Sequence, residues 1–431
     1  MSATLLPDAA PALSARARWT SLILCGAVML LDGYDLTAMP LAVPHLVQAY
    51  GHAPETFGLA LSAVLLGLGL GAVGLAPLGD RFGRRRVILL VLPVLALATF
   101  GTATGQSVEA FTAWRLLTGL ALGACLPNVT ALSAELARPG RRASTMTIVS
   151  MAIPLGAAGS GLVVSPLVAA FGWQAIFILP GLVTLLLLGL LWLALSESPA
   201  VAGDVEEGAG SGAPLVQLLH RPIFYVTALI CVLYGVNAAA LYYINSWVPT
   251  VLPNAGFTLE TAAHAVSLLQ FGGMVIGLLL ARMLDGGRVT VVLATSYGAI
   301  GLALLAFGLV PPTRLGWGIL LLIAGGGISG VHVAILAVAS GLVPPRLLSS
   351  LIGLAVAVAR IGAIGGPLLG AAVIEGDVGA ALFFAFAALP VALCLGLTML
   401  LPVVRRAARP APQSSESEKS RSPRQAVSVG R

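Results

Sequence analysis

Two carboxylates, Asp32 and Asp35, stand three residues apart inside an apolar segment running from about Trp19 to Pro40. On a helix that spacing returns to the same face, so the two acids would lie side by side. An ionised acid at the centre of a bilayer costs roughly 2.5–3.5 kcal/mol even on the lenient insertion scale, so such a pair needs a use or a partner. Desolvation and mutual repulsion both favour a proton on at least one of them, as a proton-binding site in a membrane requires. The competing reading is a buried pair that fixes helix packing through hydrogen bonds.

Three more residues bring polar chemistry into apolar stretches. Arg115 either recruits an anion or pairs with Asp32 or Asp35. Arg360 carries a guanidinium, the natural bidentate partner of a carboxylate, unless it pairs with an acid elsewhere in the membrane. His332 follows the small-residue run 324–327, which permits close helix approach. It can hydrogen-bond a ligand hydroxyl, join a proton route or simply pack.

The elements that must position these residues are membrane helices. The chain has 431 residues, of which 58% are hydrophobic and only 9% charged, far below the roughly quarter of a soluble protein. Apolar stretches of about 20 residues are long enough to cross a bilayer. Twelve occur, near 19–40, 56–78, 86–105, 109–133, 145–170, 174–195, 222–245, 262–284, 289–310, 315–341, 348–374 and 378–402. The expected fold is therefore an all-α membrane protein of twelve transmembrane helices. Of the 23 Lys and Arg, only Arg115 and Arg360 lie well inside the spans; the others divide 20 to 1 between the two sides, with Arg314 alone on the minority side. The positive-inside rule then puts both termini in the cytoplasm. The net charge of +6 follows from that rule and from contact with anionic lipid, and nucleic acid is not an expected partner.

The chain divides into a cytoplasmic segment 1–18, a six-helix bundle 19–195, a flexible linker 196–221, a second bundle 222–402 and a disordered tail 403–431. The bundles echo each other. Gly79-Asp80-Arg81-Phe82-Gly83-Arg84-Arg85-Arg86 follows the second span, and a reduced form, Asp285-Gly286-Gly287-Arg288, follows the eighth. Spans five and eleven are both interrupted by Gly and Pro, at 154–166 and 362–367. Repeated halves with broken helices point to alternating access around a site between them. The four cysteines lie singly in apolar spans, so neither a disulfide framework nor a metal site is suggested. Neither a phosphate loop nor a nucleophile elbow is present, so no cofactor, ATP use or enzyme chemistry is expected.

The Gly79 to Arg86 octet resembles the loop signature of the major facilitator superfamily, and the six-plus-six layout is similar to that superfamily throughout. Asp32-Gly33-Tyr34-Asp35 resembles the first-span motif of its aromatic acid:proton symporters, which include 4-hydroxybenzoate and 3-(3-hydroxyphenyl)propionate transporters. Further agreement comes from Arg115-Leu116-Leu117-Thr118-Gly119 running on to Asn128 and Glu135, from Asn245 to Pro249, and from Arg360 to Pro367. Two places depart from the pattern: His332 falls where family members usually carry Gln, and Leu348 to Leu351 replaces an Arg-Ala-Thr-Gly run.

The resemblance implies import of a small aromatic carboxylate with protons across the cell inner membrane. Asp32 and Asp35 would couple protons, and Arg360, Arg115, His332, Tyr34 and Asn128 would bind substrate. Gly79, Asp80, Arg81, Gly83, Arg84, Arg85, Glu135, Arg141, Asp285 and Arg288 would form a cytoplasmic conformational switch, joined by Glu197. Tyr242, Tyr243 and Trp247 read equally well as a gate or as the aromatic belt of the membrane interface. A monomer is expected. The rival readings are a multidrug or metabolite antiporter of the same superfamily and a transporter-derived membrane sensor.

Overall fold

Backbone N–H and C=O groups cannot be left unpaired in hydrocarbon, so apolar chain of this kind must close its hydrogen bonds within helices. A computed structural model describes residues 14–138, 141–195, 218, 223–339, 342–343 and 345–407. The segment 196–217, with Glu197, and the chain after 407 lie outside the described residues. Among the described residues, twelve helical spans are long and apolar enough to cross a membrane: Ala15–Tyr50, Pro54–Gly74, Arg84–Ala103, Val108–Glu135, Ser144–Phe171, Ala175–Ala194, Ile223–Asn254, Leu259–Asp285, Val289–Ala306, Arg314–Ala339, Ser350–Glu375 and Ala380–Arg406. Four of them start on a hydroxyl cap, from Ser14, Ser107, Thr258 and Thr313, each accepting from a backbone N–H three residues on.

Several helices exceed their sequence-based limits. The first continues through Pro40 and Pro44 to Tyr50, where Gly51 ends it at φ 70°, and the seventh continues through Pro249 and Pro253 to Asn254. Neighbouring helices make such prolines tolerable in a membrane. At 36 residues the first helix is about 54 Å long, against about 30 Å of hydrocarbon, so its apolar core was legible and its extension was not. The last helix likewise runs past 402 to Ala407. Span five is broken at Met151, between helices Arg142–Ser150 and Ala152–Phe171, whereas span eleven keeps Pro367 inside one unbroken helix, Pro345–Glu375. Instead, the discontinuity of the second half lies in span ten, where a π turn occupies Leu322–Gly326.

The two halves repeat the same packing. In the first, spans one and five touch so closely that a Cβ on Gly33 would strike the Ile153 carbonyl and one on Gly156 the Leu30 carbonyl. In the second, spans seven and eleven do the same, Gly362 against Gly235 and Gly366 against Ala239. Small residues at such crossings let helix backbones meet without a side chain between them.

The halves join at the end of the molecule opposite the Arg84 and Arg288 loops. There Met39, Val43, Leu46, Phe57 and Leu61 share one buried core with Trp247, Val248 and Val251. Within the second half the Trp247 indole donates to the Pro367 carbonyl at 2.9 Å; across the boundary Ser62 donates to Ile364 O at 2.8 Å and Ser267 donates to Ala158 O at 2.6 Å. The last two contacts tie span two to eleven and span five to eight.

Candidate functional site

Asp32, Asp35 and Arg115 are all buried in the middle of the first half. Arg115 donates from Nη1 to Asp35 Oδ1 and from Nη2 to the Asp35 carbonyl oxygen, both at 2.7 Å. Its guanidinium also stands 6.0 Å from the centre of the Phe177 ring, a cation–π distance. Asp32 is treated differently: both of its carboxylate oxygens are buried with no hydrogen-bond partner among the described residues. The choice of Arg115 partner left open by spacing therefore resolves to Asp35.

Arg360 comes from span eleven and is partly buried. It lies within electrostatic reach of Asp32 on the opposite half and of Tyr234, Tyr242 and His332 on its own. Among the described residues it forms no ion pair. Tyr242, like Ile364, packs against the buried core that includes Leu31 and Leu65 of the first half. It is thus an inter-half residue at mid-helix, and the membrane-interface reading does not fit it.

A second polar network lies behind Arg360. His332 stacks on Tyr234 at a centroid distance of 4.1 Å and an angle of 11°. Its Nδ1 meets Asn237 Nδ2 at 3.1 Å, and the Tyr297 hydroxyl donates to Asn237 Oδ1 at 3.0 Å. Asn237 and Tyr297 are 1% exposed, so this network is internal to the second half.

Residues 24–364 match the family model described as Major Facilitator Superfamily. The chain belongs to the major facilitator superfamily. A gallate transporter of Pseudomonas putida is 30% identical over 86% of this chain and 89% of its own length. The 3-(3-hydroxy-phenyl)propionate transporter of Escherichia coli K12 is 31% identical over 89% of this chain and 93% of its own length. Among solved structures, the nucleoside transporter NupG aligns with a TM-score of 0.73 and 16% identity, covering 90% of this chain and 98% of that one. The superfamily member described here is thus a multi-pass membrane transporter of the aromatic acid family, and not an enzyme.

In this transporter the remaining sequence candidates separate. Tyr34 does not point to Arg360: its hydroxyl donates to Ile176 O at 3.1 Å inside the first half, which makes it a packing contact. Asn128 is likewise occupied, donating to Ala76 O at 3.1 Å and Ala124 O at 2.8 Å with its side chain against Gly79, far along span four from Arg115. The signature loop folds as a short helix, Leu78–Phe82, ended by Gly83 at φ 94°, a conformation that a side chain would strain. Arg84 pairs with Asp80 at 3.2 Å and with Glu135, while Arg85 donates to Trp192 O at 3.0 Å. Arg81 lies over its neighbour Phe82, and Arg141 stands at the start of helix Arg142–Ser150. In the second half, Asp285 ends one helix and Arg288 precedes the next, without an ion pair among the described residues. Tyr243 and Trp247 serve packing: Tyr243 donates to Phe383 O at 3.0 Å and stacks on that ring.

Asn237 was not singled out from sequence. The available signal was an uncharged amide alone in an apolar stretch, which buried polar groups must satisfy at some cost.

Proposed function

We propose that this transporter imports a small aromatic carboxylate, of the benzoate, hydroxybenzoate or hydroxyphenylpropionate type, together with protons. The observation that carries the reading is the unequal treatment of the two first-span acids. Asp35 is committed to Arg115, whereas Asp32 is buried without a hydrogen-bond partner among the described residues and lies within electrostatic reach of Arg360 on the other half. Unpaired burial is tolerable for a neutral carboxyl and costly for an ion, so a proton can enter and leave at Asp32 as its surroundings change. Arg360, free of an ion pair among the described residues, is the group for the substrate carboxylate. The relatives that carry gallate and 3-(3-hydroxy-phenyl)propionate support this substrate class.

With both termini in the cytoplasm, as the distribution of Lys and Arg favours, the joined end is extracellular and the conformation is inward-facing. Rocking of the halves about the Asp32–Arg360 level would then alternate access. A monoanion entering a negative-inside cell does about 2.3 kcal/mol of electrical work per 100 mV, and one proton carried with it cancels that work. A single chain contains both halves of the site, so a monomer suffices.

The test uses purified protein in lipid vesicles with only a pH gradient imposed, acid outside. Labelled hydroxybenzoate should accumulate, collapse on addition of a protonophore and be displaced by unlabelled aromatic acids. Accumulation only with acid inside would identify an antiporter instead, and binding without accumulation would identify a sensor.

A further inference from the structure

Asn237 on span seven, Tyr297 on span nine and His332 on span ten form a chain of hydrogen bonds whose direction is fixed by a backbone carbonyl at its centre. Asn237 Nδ2 also faces the Ile328 carbonyl oxygen at 3.4 Å, and that oxygen can only accept. The amide nitrogen therefore lies on the histidine side and the amide oxygen takes the Tyr297 proton. An amide nitrogen can only donate, so Nδ1 of a neutral His332 must accept and its proton sits on Nε2. The stacked Tyr234 ring fixes the plane in which this N–H projects. Among the described residues, Asn237 is the only hydrogen-bond partner of the imidazole.

We propose that Tyr297 and Asn237 hold His332 as an Nε2–H donor that reads an oxygen substituent on the aromatic ring of the transported acid. The inference rests on the substrate class proposed above and deepens it. Span eleven meets span seven at this level, Gly362 against the Gly235 carbonyl, two residues from Arg360 and one from the Tyr234 that stacks on His332. Arg360 also lies within electrostatic reach of the imidazole, so a guanidinium for the carboxylate and an N–H donor for a ring oxygen border one site. A ring hydroxyl oxygen completes the donor; an unsubstituted ring leaves a buried N–H without an acceptor, and sites of this kind discriminate strongly. Asn237 and Tyr297 are positioning residues, acting through the histidine. His332 touches the ligand.

The readout is the ratio of dissociation constants for benzoate and for the tightest of 2-, 3- and 4-hydroxybenzoate, measured by titration of the purified full chain. Each ratio is internal to one variant, so differences in yield cancel. The wild type should prefer the hydroxylated acid, by roughly tenfold or more. His332→Leu should abolish the preference, and His332→Gln, which retains an N–H, should keep part of it. Asn237→Asp presents a carboxylate that accepts from Nδ1 and should place a proton there, read in nitrogen-15 spectra, since a ring hydroxyl can still donate to an unprotonated Nε2 and the ratio alone does not report the change. An unchanged ratio in His332→Leu, or no proton on Nδ1 in Asn237→Asp, overturns the proposal. Nitrogen-15 spectra of histidine-labelled wild type decide the tautomer without relying on any variant that fails to fold: a proton on Nδ1 in the signal that His332→Gln removes overturns it too. If the wild type binds no aromatic acid at all, the substrate class falls, and the tautomer spectrum still reports on the relay.

Discussion

Arg115 grips Asp35 by its carboxylate and its backbone carbonyl, while Asp32, one helical turn earlier, is left without a hydrogen-bond partner. One acid of the pair thus completes a structural contact, and the other completes none among the described residues. Their spacing gave them equal standing, and their partners make them unequal.

The two acids should therefore fail differently when neutralised. Asp35→Asn strands the guanidinium of Arg115, which is 0% exposed, and removing one partner of a buried pair costs about 3–5 kcal/mol. Asp32→Asn removes no hydrogen bond and should change stability by under about 1 kcal/mol while abolishing proton-driven uptake. The four cysteines are buried, so the rate at which a thiol dye reacts on heating reports unfolding. Equal unfolding temperatures for the two variants would contradict this division.

The charge network beside the signature loop should bias the conformational equilibrium only modestly. Arg84 and Glu135 are 24% and 18% exposed, a partly solvated pair worth about 1 kcal/mol or less. Glu135→Gln should shift the ratio of the two facing states by up to about fivefold. Asp80 is 73% exposed, so Asp80→Asn should shift it less. Labelling of Ser62→Cys, on the closed side of the molecule, by an impermeant maleimide gives the ratio, and the reverse ranking would count against the assignment.

Much of the architecture was legible because bilayer thickness and charge asymmetry write themselves into composition: twelve spans and two repeated halves come from residue type and spacing, as does the placement of Asp32, Asp35, Arg115 and Arg360 inside those spans. The pairing of those residues was not. Periodicity tells which face of its own helix a residue occupies, but not which neighbour that face meets. Tyr34 stands between the two acids but out of step with their three-residue spacing, so its side chain turns away from them to Ile176, and Tyr242 lies at mid-helix because span seven runs beyond its expected end to Asn254. Asn237 gained its meaning only from Tyr297 and His332 on two other helices.

The joined end should be sensitive to bulk at Gly161. A Cβ there would strike the Ala263 carbonyl and the Ser267 hydroxyl, both across the boundary between the halves. Gly161→Leu should hold that end apart, speed Ser62→Cys labelling at least tenfold and reduce uptake by a similar factor. Unaltered labelling would mean that spans five and eight do not separate during transport.

Arg360 presents two physical roles that a pair of substitutions can separate. As the substrate's anchor it needs the bidentate geometry of a guanidinium, so Arg360→Lys should raise KM roughly tenfold with the charge retained, and Arg360→Gln should abolish saturable uptake. As a mere counter-charge to Asp32, it would be dispensable once that acid is neutral. The Asp32→Asn/Arg360→Gln double variant decides between them in a binding assay, which needs no proton cycle. If Arg360 holds the carboxylate, hydroxybenzoate binding stays lost in the double variant, because neutralising Asp32 supplies no new cation. Recovery of affinity to within about twofold of Asp32→Asn alone would show instead that the guanidinium serves the acid across the boundary, since coupled neighbours depart from additivity in that way.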